Sequence, residues 1–440
     1  MKALRIFVLL VLGAFALGGC PRLAPPTPKA TPTPAPAPPT PPPKPTPPPA
    51  PYVPYKKLET GRIFNGMQYN VTLETEFGTT ATADRDDPAS YTADLTFKVK
   101  VPKPHQSLEE LERLNPKLSE VFPTLPLLVE KSTVSPFFDD LYRRKVENLR
   151  KNLNRLDILL SRHNFYDTET ILELENPETK RKALLVQADM DVDEDGSDAD
   201  RVSYATGVSP TFQPFTSYHW PKQTDAPNPF LAARKTRLEK AQEDLKAPGL
   251  SAAKKKSLQE AIKDLKTEIY SLEKYSFLVG TVDPFVVMPL SVVNQKSPFS
   301  PKIGDFCVII SGETAYPAIV GDAGPSYQQG EASLRICKQI NARSSGYNRP
   351  VSDLKITYLV FPNSRVKPFT PPDLEKWREE CAKLIGELGG ISGELFTWKD
   401  LTKAEPPEPP AAPATAEPSE PAPDQAPAPA TTPPDTGTAK

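Results

Sequence analysis

Apolar and polar residues alternate along Tyr69-Asn70-Val71-Thr72-Leu73-Glu74 and again along Tyr91–Val99. That two-residue period predicts strands with one buried face. The period then lengthens. Tyr142, Val146, Leu149, Leu153, Leu156 and Leu160 are spaced four and three apart, which lays one apolar stripe along a helix. A second helical stretch runs from about Leu231 to Tyr275, with Leu258, Ile262, Leu265, Ile269 and Leu272 at the same spacing. Ala247-Pro248-Gly249 interrupts it, so the pattern predicts a helical hairpin. These stripes read as packing seams, and the Lys and Glu between them as a solvated face. Short β-branched or apolar runs at Ala183–Val186, Phe285–Met288, Phe306–Ile310 and Ile356–Phe361 predict further strands. Helices are expected to begin near Glu331 and near Leu374.

Composition bounds the folded part. Of 55 prolines, 18 lie in residues 21–54 and 12 in residues 406–440, so both ends are low-complexity polymer. The first favours extended polyproline II and reads as a semi-rigid stalk, and the second as a disordered tail. What remains, about Leu58 to Leu401, is long enough for one large core or two modest ones. The net charge of −2 argues against a nucleic-acid binder that works by neutralising phosphates. The four Cys and three His are well separated and form no zinc cluster. After the first twenty residues no stretch is long and apolar enough to span a bilayer.

The N-terminus is informative. Lys2 and Arg5 precede an apolar run from Ile6 to Leu17, which has the make-up of a signal peptide. The run ends in Leu17-Gly18-Gly19-Cys20, which resembles the bacterial lipobox. That resemblance implies lipidation of Cys20 after removal of residues 1–19, and anchoring through the acyl chains. Pro21 stands where an Asp tends to hold such proteins in an inner membrane, so the expected destination is the outer membrane. Export leaves Cys307, Cys337 and Cys381 in an oxidising compartment. Cys307–Cys337 is the first candidate disulfide, with buried free thiols as the alternative.

Two acidic features could carry chemistry. Residues 187–200 hold Asp189, Asp191, Asp193, Glu194, Asp195, Asp198 and Asp200 and no basic residue. Such crowding is unfavourable unless a cation sits among the carboxylates. Asp191, Asp193, Asp195 and Gly196 match the start of a calcium loop, although Val202 stands where the bidentate Glu belongs. A calcium site, a solvated acidic turn and a contact surface for a cationic substrate all remain open. The second feature is Gly321-Asp322-Ala323-Gly324-Pro325 followed by Gly330-Glu331-Ala332-Ser333. Asp322 follows a strand-like run, and Glu331 is expected at a helix start. Two carboxylates facing across a cleft are what glycosidic hydrolysis needs. A turn Asp and a helix-capping Glu is the plainer alternative.

Four blocks, in order, resemble glycoside hydrolase family 75, the chitosanases. They are Asp189–Gly196, Ser209-Pro210-Thr211-Phe212-Gln213-Pro214-Phe215-Thr216-Ser217, Phe285-Val286-Val287-Met288-Pro289, and the Ile319–Pro325 and Gly330–Ser333 pair. Ile356–Phe361 is similar to the family's closing strand. The match covers about Ala183 to Phe361, less the hairpin. The resemblance implies Asp322 and Glu331 as catalytic residues and β-1,4-linked glucosamine polymer as substrate, hydrolysed with inversion. It also implies an α+β fold with a β-barrel-like core, for which the double-psi type of other inverting hydrolases is a candidate. Asp189, Asp191 and Asp193 are the expected contacts to the cationic polymer. No cofactor is implied, and the protein is expected to be a monomer. Ala323 stands where the family is expected to have Thr, so a supporting hydroxyl is missing from that position. Glu194 replaces a Cys frequent in fungal members.

The expected organisation is a signal peptide over 1–19, a linker over 20–56 and an N-terminal β plus helix region over 57–169. The family-like domain follows over 170–402, with the hairpin inserted at 230–276, and the tail over 403–440. The competing functional reading is a non-catalytic polysaccharide- or cell-wall-binding lipoprotein.

Overall fold

The computed structural model describes residues 75–94, 96–155, 159 and 164–403. Cys20, the signal peptide, the proline-rich linker, the tail beyond 403, the predicted strand Tyr69–Glu74, and Leu156 and Leu160 lie outside the described residues. No helix among the described residues is long and apolar enough to cross a membrane.

Among the described residues ten strands organise the fold: β1 (Thr133–Val134), β2 (Thr168–Glu175), β3 (Lys182–Asp193), β4 (His219–Pro221), β5 (Tyr275–Phe277), β6 (Phe285–Pro289), β7 (Phe306–Ser311), β8 (Thr314–Gly324), β9 (Glu331–Ser333) and β10 (Val351–Val360). The main sheet runs β1-β2-β3-β10-β7-β8-β6-β9, and β9 pairs back onto β3. Six strands therefore close into a barrel, while β1 and β2 extend from its β3 side. The length of β3 makes this possible: Lys182 to Ala188 borders β2, and Asp191 to Asp193 turns to β9. Two pairings in the barrel, β3 with β9 and β6 with β8, are parallel. Exchanging β3 with β8, β6 with β9 and β7 with β10 maps the strand order and both parallel pairs onto themselves.

Strand alternation feeds two apolar clusters. Leu184, Val186, Ala188 and Met190 join Val286, Val320 and Tyr358 in one. Ala183 and Leu185 join Phe285, Val287, Ile319 and Leu359 in the other. Such runs are apolar on both faces because both faces are covered, the pattern of a buried strand. Helix Leu374–Leu388, begun by the Asp373 side chain that accepts from the Lys376 N–H, buries Trp377, Cys381, Leu384, Ile385 and Leu388 on the second cluster.

The N-terminal region merges with this core. Helix Leu108–Leu114 starts with a reciprocal cap between Ser107 and Glu110, and its Leu111 is fully buried in the same cluster as Leu388. Helix Pro136–Lys151 buries Phe137, Phe138, Leu141, Tyr142, Lys145 and Leu149. The predicted stripe therefore holds only in part: the helix ends at Lys151 and Leu153 is exposed. Tyr91–Val99 forms no strand among its described residues. It has the alternation but no partner strand, and the chain just beyond it is tied instead by Tyr166, whose hydroxyl bonds Lys100 O at 2.9 Å.

The hairpin insertion forms as expected from helices Leu231–Asp244 and Ala252–Lys274, with Gly249 at φ +76 in the break. Its two ends are joined by the β4–β5 ribbon. The expected Cys307–Cys337 disulfide is not formed. Cys307, Cys337 and Cys381 are buried free thiols. Cys307 lies beneath Cys381, whose Sγ is 3.3 Å from the Cys307 carbonyl, whereas the Cys337 thiol faces the Ala332 and Asp191 carbonyls.

Candidate active site

The face of β3 that begins with Ala183 and Leu185 turns acidic toward its end. Asp189, Asp191 and Asp193 follow at alternate positions and so share that face. Asp191 pairs with Glu331 of β9. Glu331 pairs with Val287 of β6, and Val287 pairs on its other side with Asp322 of β8. Directly paired residues point to the same side of a sheet. Asp322, Val287, Glu331 and Asp191 therefore form one row across four strands. Asp322 and Glu331 are two strand spacings apart, roughly 9.5 Å between Cα atoms.

Asp322 reaches this row through a bulge. The β6–β8 register shifts between Val286/Val320 and Val287/Asp322, which makes Gly321 the extra residue. A Cβ on Gly321 would meet Phe285 Cβ at 2.5 Å and Leu278 Cδ1 at 2.7 Å, so the bulge closes only around glycine. Asp322 Oδ1 accepts from Ser217 Oγ at 2.5 Å, Ser217 N at 3.0 Å and Ala323 N at 2.7 Å. Ser217 thus donates both its hydroxyl and its backbone N–H to Asp322. Burial raises the Asp322 carboxyl to about 6, against the pull of these three donors toward the charged form.

Glu331 opens β9 and is not at a helix start. The helix begins three residues later at Leu334, with Ser333 as its N-cap. The segment Gly330-Glu331-Ala332-Ser333 is claimed by its neighbours on both sides, β3 and β6. Gly330, at φ +87, lies where a Cβ would be 2.6 Å from Asp189 O, and its carbonyl accepts from Asp191 N at 2.7 Å. The Glu331 carboxyl leans toward β8, with Oε2 3.5 Å from the position of a Cβ on Gly324. Among the described residues its side chain has no hydrogen-bond or ion-pair partner. Burial, and then the charges of Asp193, Asp191, Asp195 and Asp322, push it well above the usual carboxylate range. Asp322 and Glu331 are each half-buried as residues, with protein closing round their carboxyls.

The three residues expected to touch substrate divide. Asp189 is fully buried and its Oδ2 accepts from Arg349 Nη1 at 2.9 Å, so it is a structural partner of Arg349 and cannot reach a polymer. Asp191 is partly exposed and paired with Arg349 Nε. Asp193, nearly buried, uses Oδ1 to accept from Asp195 N at 2.6 Å, and Asp195 Oδ1 accepts from Gln213 N at 2.8 Å. Burial, with Asp322 nearby for the first and Asp193 nearby for the second, raises Asp193 to about 8 and Asp195 to about 9. Asp191 and Asp193 lie on a strand, and among the described residues no group of three or more His, Cys, Asp and Glu is arranged to hold a metal ion. A cavity of about 390 Å³ lies elsewhere, lined by Gln106, Leu108, Val129 and Glu130 among others, and brings no such cluster together.

Sequence reading places Ser217 and Glu194 inside motif blocks without naming a partner for either, and it gives no role to Arg349 or Lys145. Arg349 neutralises the inner end of the acidic row. Lys145, fully buried, donates to Asp167 Oδ2 at 2.5 Å and to the Tyr327 carbonyl at 2.6 Å, and so ties helix Pro136–Lys151 to the loop between Asp322 and Glu331.

Raised carboxylates make the native state hold protons that the unfolded chain has released. Stability therefore falls as pH rises from the ordinary carboxylate range through about 8 and 9. The urea midpoint should be lower at pH 9 than at pH 5. A midpoint that climbs over that interval would contradict the crowding.

Compared with known proteins, the chain matches no protein-family model, and no curated protein matches it.

Proposed function

We propose that the protein is an inverting glycoside hydrolase acting on β-1,4 linkages of a cationic amino-sugar polymer of the chitosan type. The observation that carries this reading is the shared row. Asp322 and Glu331 flank Val287 on one side of the sheet. One intervening strand leaves room for the water that an inverting pair, with carboxyls about 6.5–9.5 Å apart, holds between base and sugar. Their environments differ in the way acid–base work requires. Three donors favour the ionised form of Asp322, while burial and four neighbouring carboxylates favour the protonated form of Glu331. Glu331 then gives its proton to the departing glycosidic oxygen, and Asp322 takes one from the water that attacks the anomeric carbon. The acidic surroundings attract an ammonium-bearing chain.

The barrel's internal exchange symmetry, with two parallel pairs, supports the double-psi topology expected from the family resemblance. The lipobox-like sequence ending in Cys20 supports an exported protein held at the outer membrane by its acyl chains, with residues 21–54 as the spacer.

The test is release of reducing ends from chitosan, chitin, cellulose and partly deacetylated peptidoglycan, with the first-formed anomer followed by NMR. The expected result is cleavage of the amino-sugar polymers with the α-anomer appearing first. Binding without reducing ends would favour the polysaccharide-binding alternative and overturn the hydrolase. The pH profile of kcat/KM should be bell-shaped. The rate should rise with pH through about 6 as Asp322 loses its proton, and fall at higher pH as Glu331 loses its own. A profile flat across the rising limb would remove Asp322 as base.

A further inference from the structure

Glu194 follows the last acidic residue of β3 and is nearly buried. Its Oε2 accepts from Val208 N at 2.9 Å and Ser209 N at 3.0 Å, and its Oε1 from Gly346 N at 3.0 Å. One carboxylate thereby staples two loops, near 208 and near 346, to the end of the acidic strand. The fit leaves no spare room, since a Cβ on Gly346 would meet the Glu194 carboxylate at 2.6 Å. The loops are also joined at their outer ends, where Tyr347 Oη donates to Val208 O at 2.7 Å.

Tyr347 is 66% exposed. It sits in a turn closed by Asn348 N donating to Ser345 O at 3.0 Å, and its hydroxyl is pinned as described. An aromatic ring that is both exposed and fixed at two ends loses little conformational freedom when something stacks on it. Its location is also defined. Two residues further on, Arg349 holds Asp191, and Asp191 is the row partner of Glu331.

We infer that Tyr347 is a sugar-stacking platform: an additional binding subsite for an amino-sugar unit flanking the cleaved linkage, held in place by the Glu194 staple. This rests on the hydrolase reading for the identity of the polymer. A pyranose face presents C–H groups, and a glucosamine unit adds an ammonium, both of which suit the negative face of a tyrosine ring. Continuity with the acidic row argues for the same cationic chain rather than an unrelated partner.

The experiment uses the full chain purified in detergent. Binding of a fully deacetylated glucosamine hexamer is measured by calorimetry with the Glu331→Gln variant, and steady-state hydrolysis of chitosan with active Glu331. Tyr347→Ala should weaken hexamer binding and raise KM about tenfold, with kcat within about twofold. Tyr347→Phe keeps the ring and should retain most of the affinity. Tyr270→Ala, an exposed tyrosine on the hairpin, serves as the control and should change neither. Unchanged binding in Tyr347→Ala overturns the platform, as does a Phe variant as weak as the Ala variant. If the parent protein binds the hexamer through Tyr347 but cleaves nothing, the hydrolase reading fails and the platform stands. Absence of both binding and cleavage overturns both.

Discussion

Replacing Glu331 with Gln, or Asp322 with Asn, is expected to lower the rate of chitosan cleavage by about 10²–10⁴-fold while leaving the fold intact. Each substitution preserves size and removes the group that gives or takes a proton. Asp322→Asn retains Oδ1 as the acceptor for Ser217 and Ala323, so the bulge at Gly321 stays anchored. Glu331→Gln removes one of five mutually repelling carboxylates and should raise stability more at pH 9 than at pH 5, because repulsion grows as the carboxyls ionise. Loss of activity with unchanged or higher stability is the signature of a residue kept for chemistry. Reducing-end assays paired with urea titrations read both quantities. A variant that cleaves at the parental rate would take its residue out of the mechanism.

The second large effect lies outside the row. Lys145→Met should destabilise the protein by about 3–5 kcal/mol, because it leaves Asp167 buried without its cation. Asp167 has no other cationic partner at hydrogen-bond distance among the described residues, although Thr168 Oγ1 and Gln329 N also donate to it. The same change frees the Tyr327 carbonyl in the loop between the two proposed catalytic strands. Activity should therefore fall together with stability. Adding Asp167→Asn to Lys145→Met removes the stranded charge and should recover much of the loss, which a double-mutant cycle in urea would measure. A Lys145→Met protein as stable as the parent would mean that the pair contributes nothing net.

Strands β6 and β7, the start of β3 and the end of β10 can be read from sequence because each is a short apolar or β-branched run between turn residues. The hairpin is equally legible, since Leu258, Leu265 and Leu272 repeat once every seven residues and are the buried positions of its longer helix. Glu331 reads as a helix start because a glycine before it and an apolar-periodic stretch after it are a local signal. What holds it in a strand is pairing with residues about 140 and 45 positions away, Asp191 and Val287, and no window of sequence contains both. The same reason hides Ser217 as the donor to Asp322 and Glu194 as a staple. Lys145 escapes notice because a cation inside an apolar stripe looks like an interruption, whereas here it is the most buried polar group of its helix. Asp189 shows the opposite error. Its place in an acidic block suggests an open surface, but alternation along β3 carries that face inward before it emerges at Asp191.

The ribbon of β4 and β5 sets Pro221 against Tyr275, so the chain leaves the body of the protein and returns to it at one spot. Fifty-odd residues depart and come back with almost no net travel, and cutting them out would leave two stubs already side by side. A short turn could bridge them with little entropic penalty, since closing such a gap depends only weakly on what once filled it. The hairpin is in this sense an appendage whose excision would cost the body only a few ties at its base, where Asn228 donates to Ser197 Oγ at 2.8 Å and Gln223 N and Thr224 N donate to Asp200.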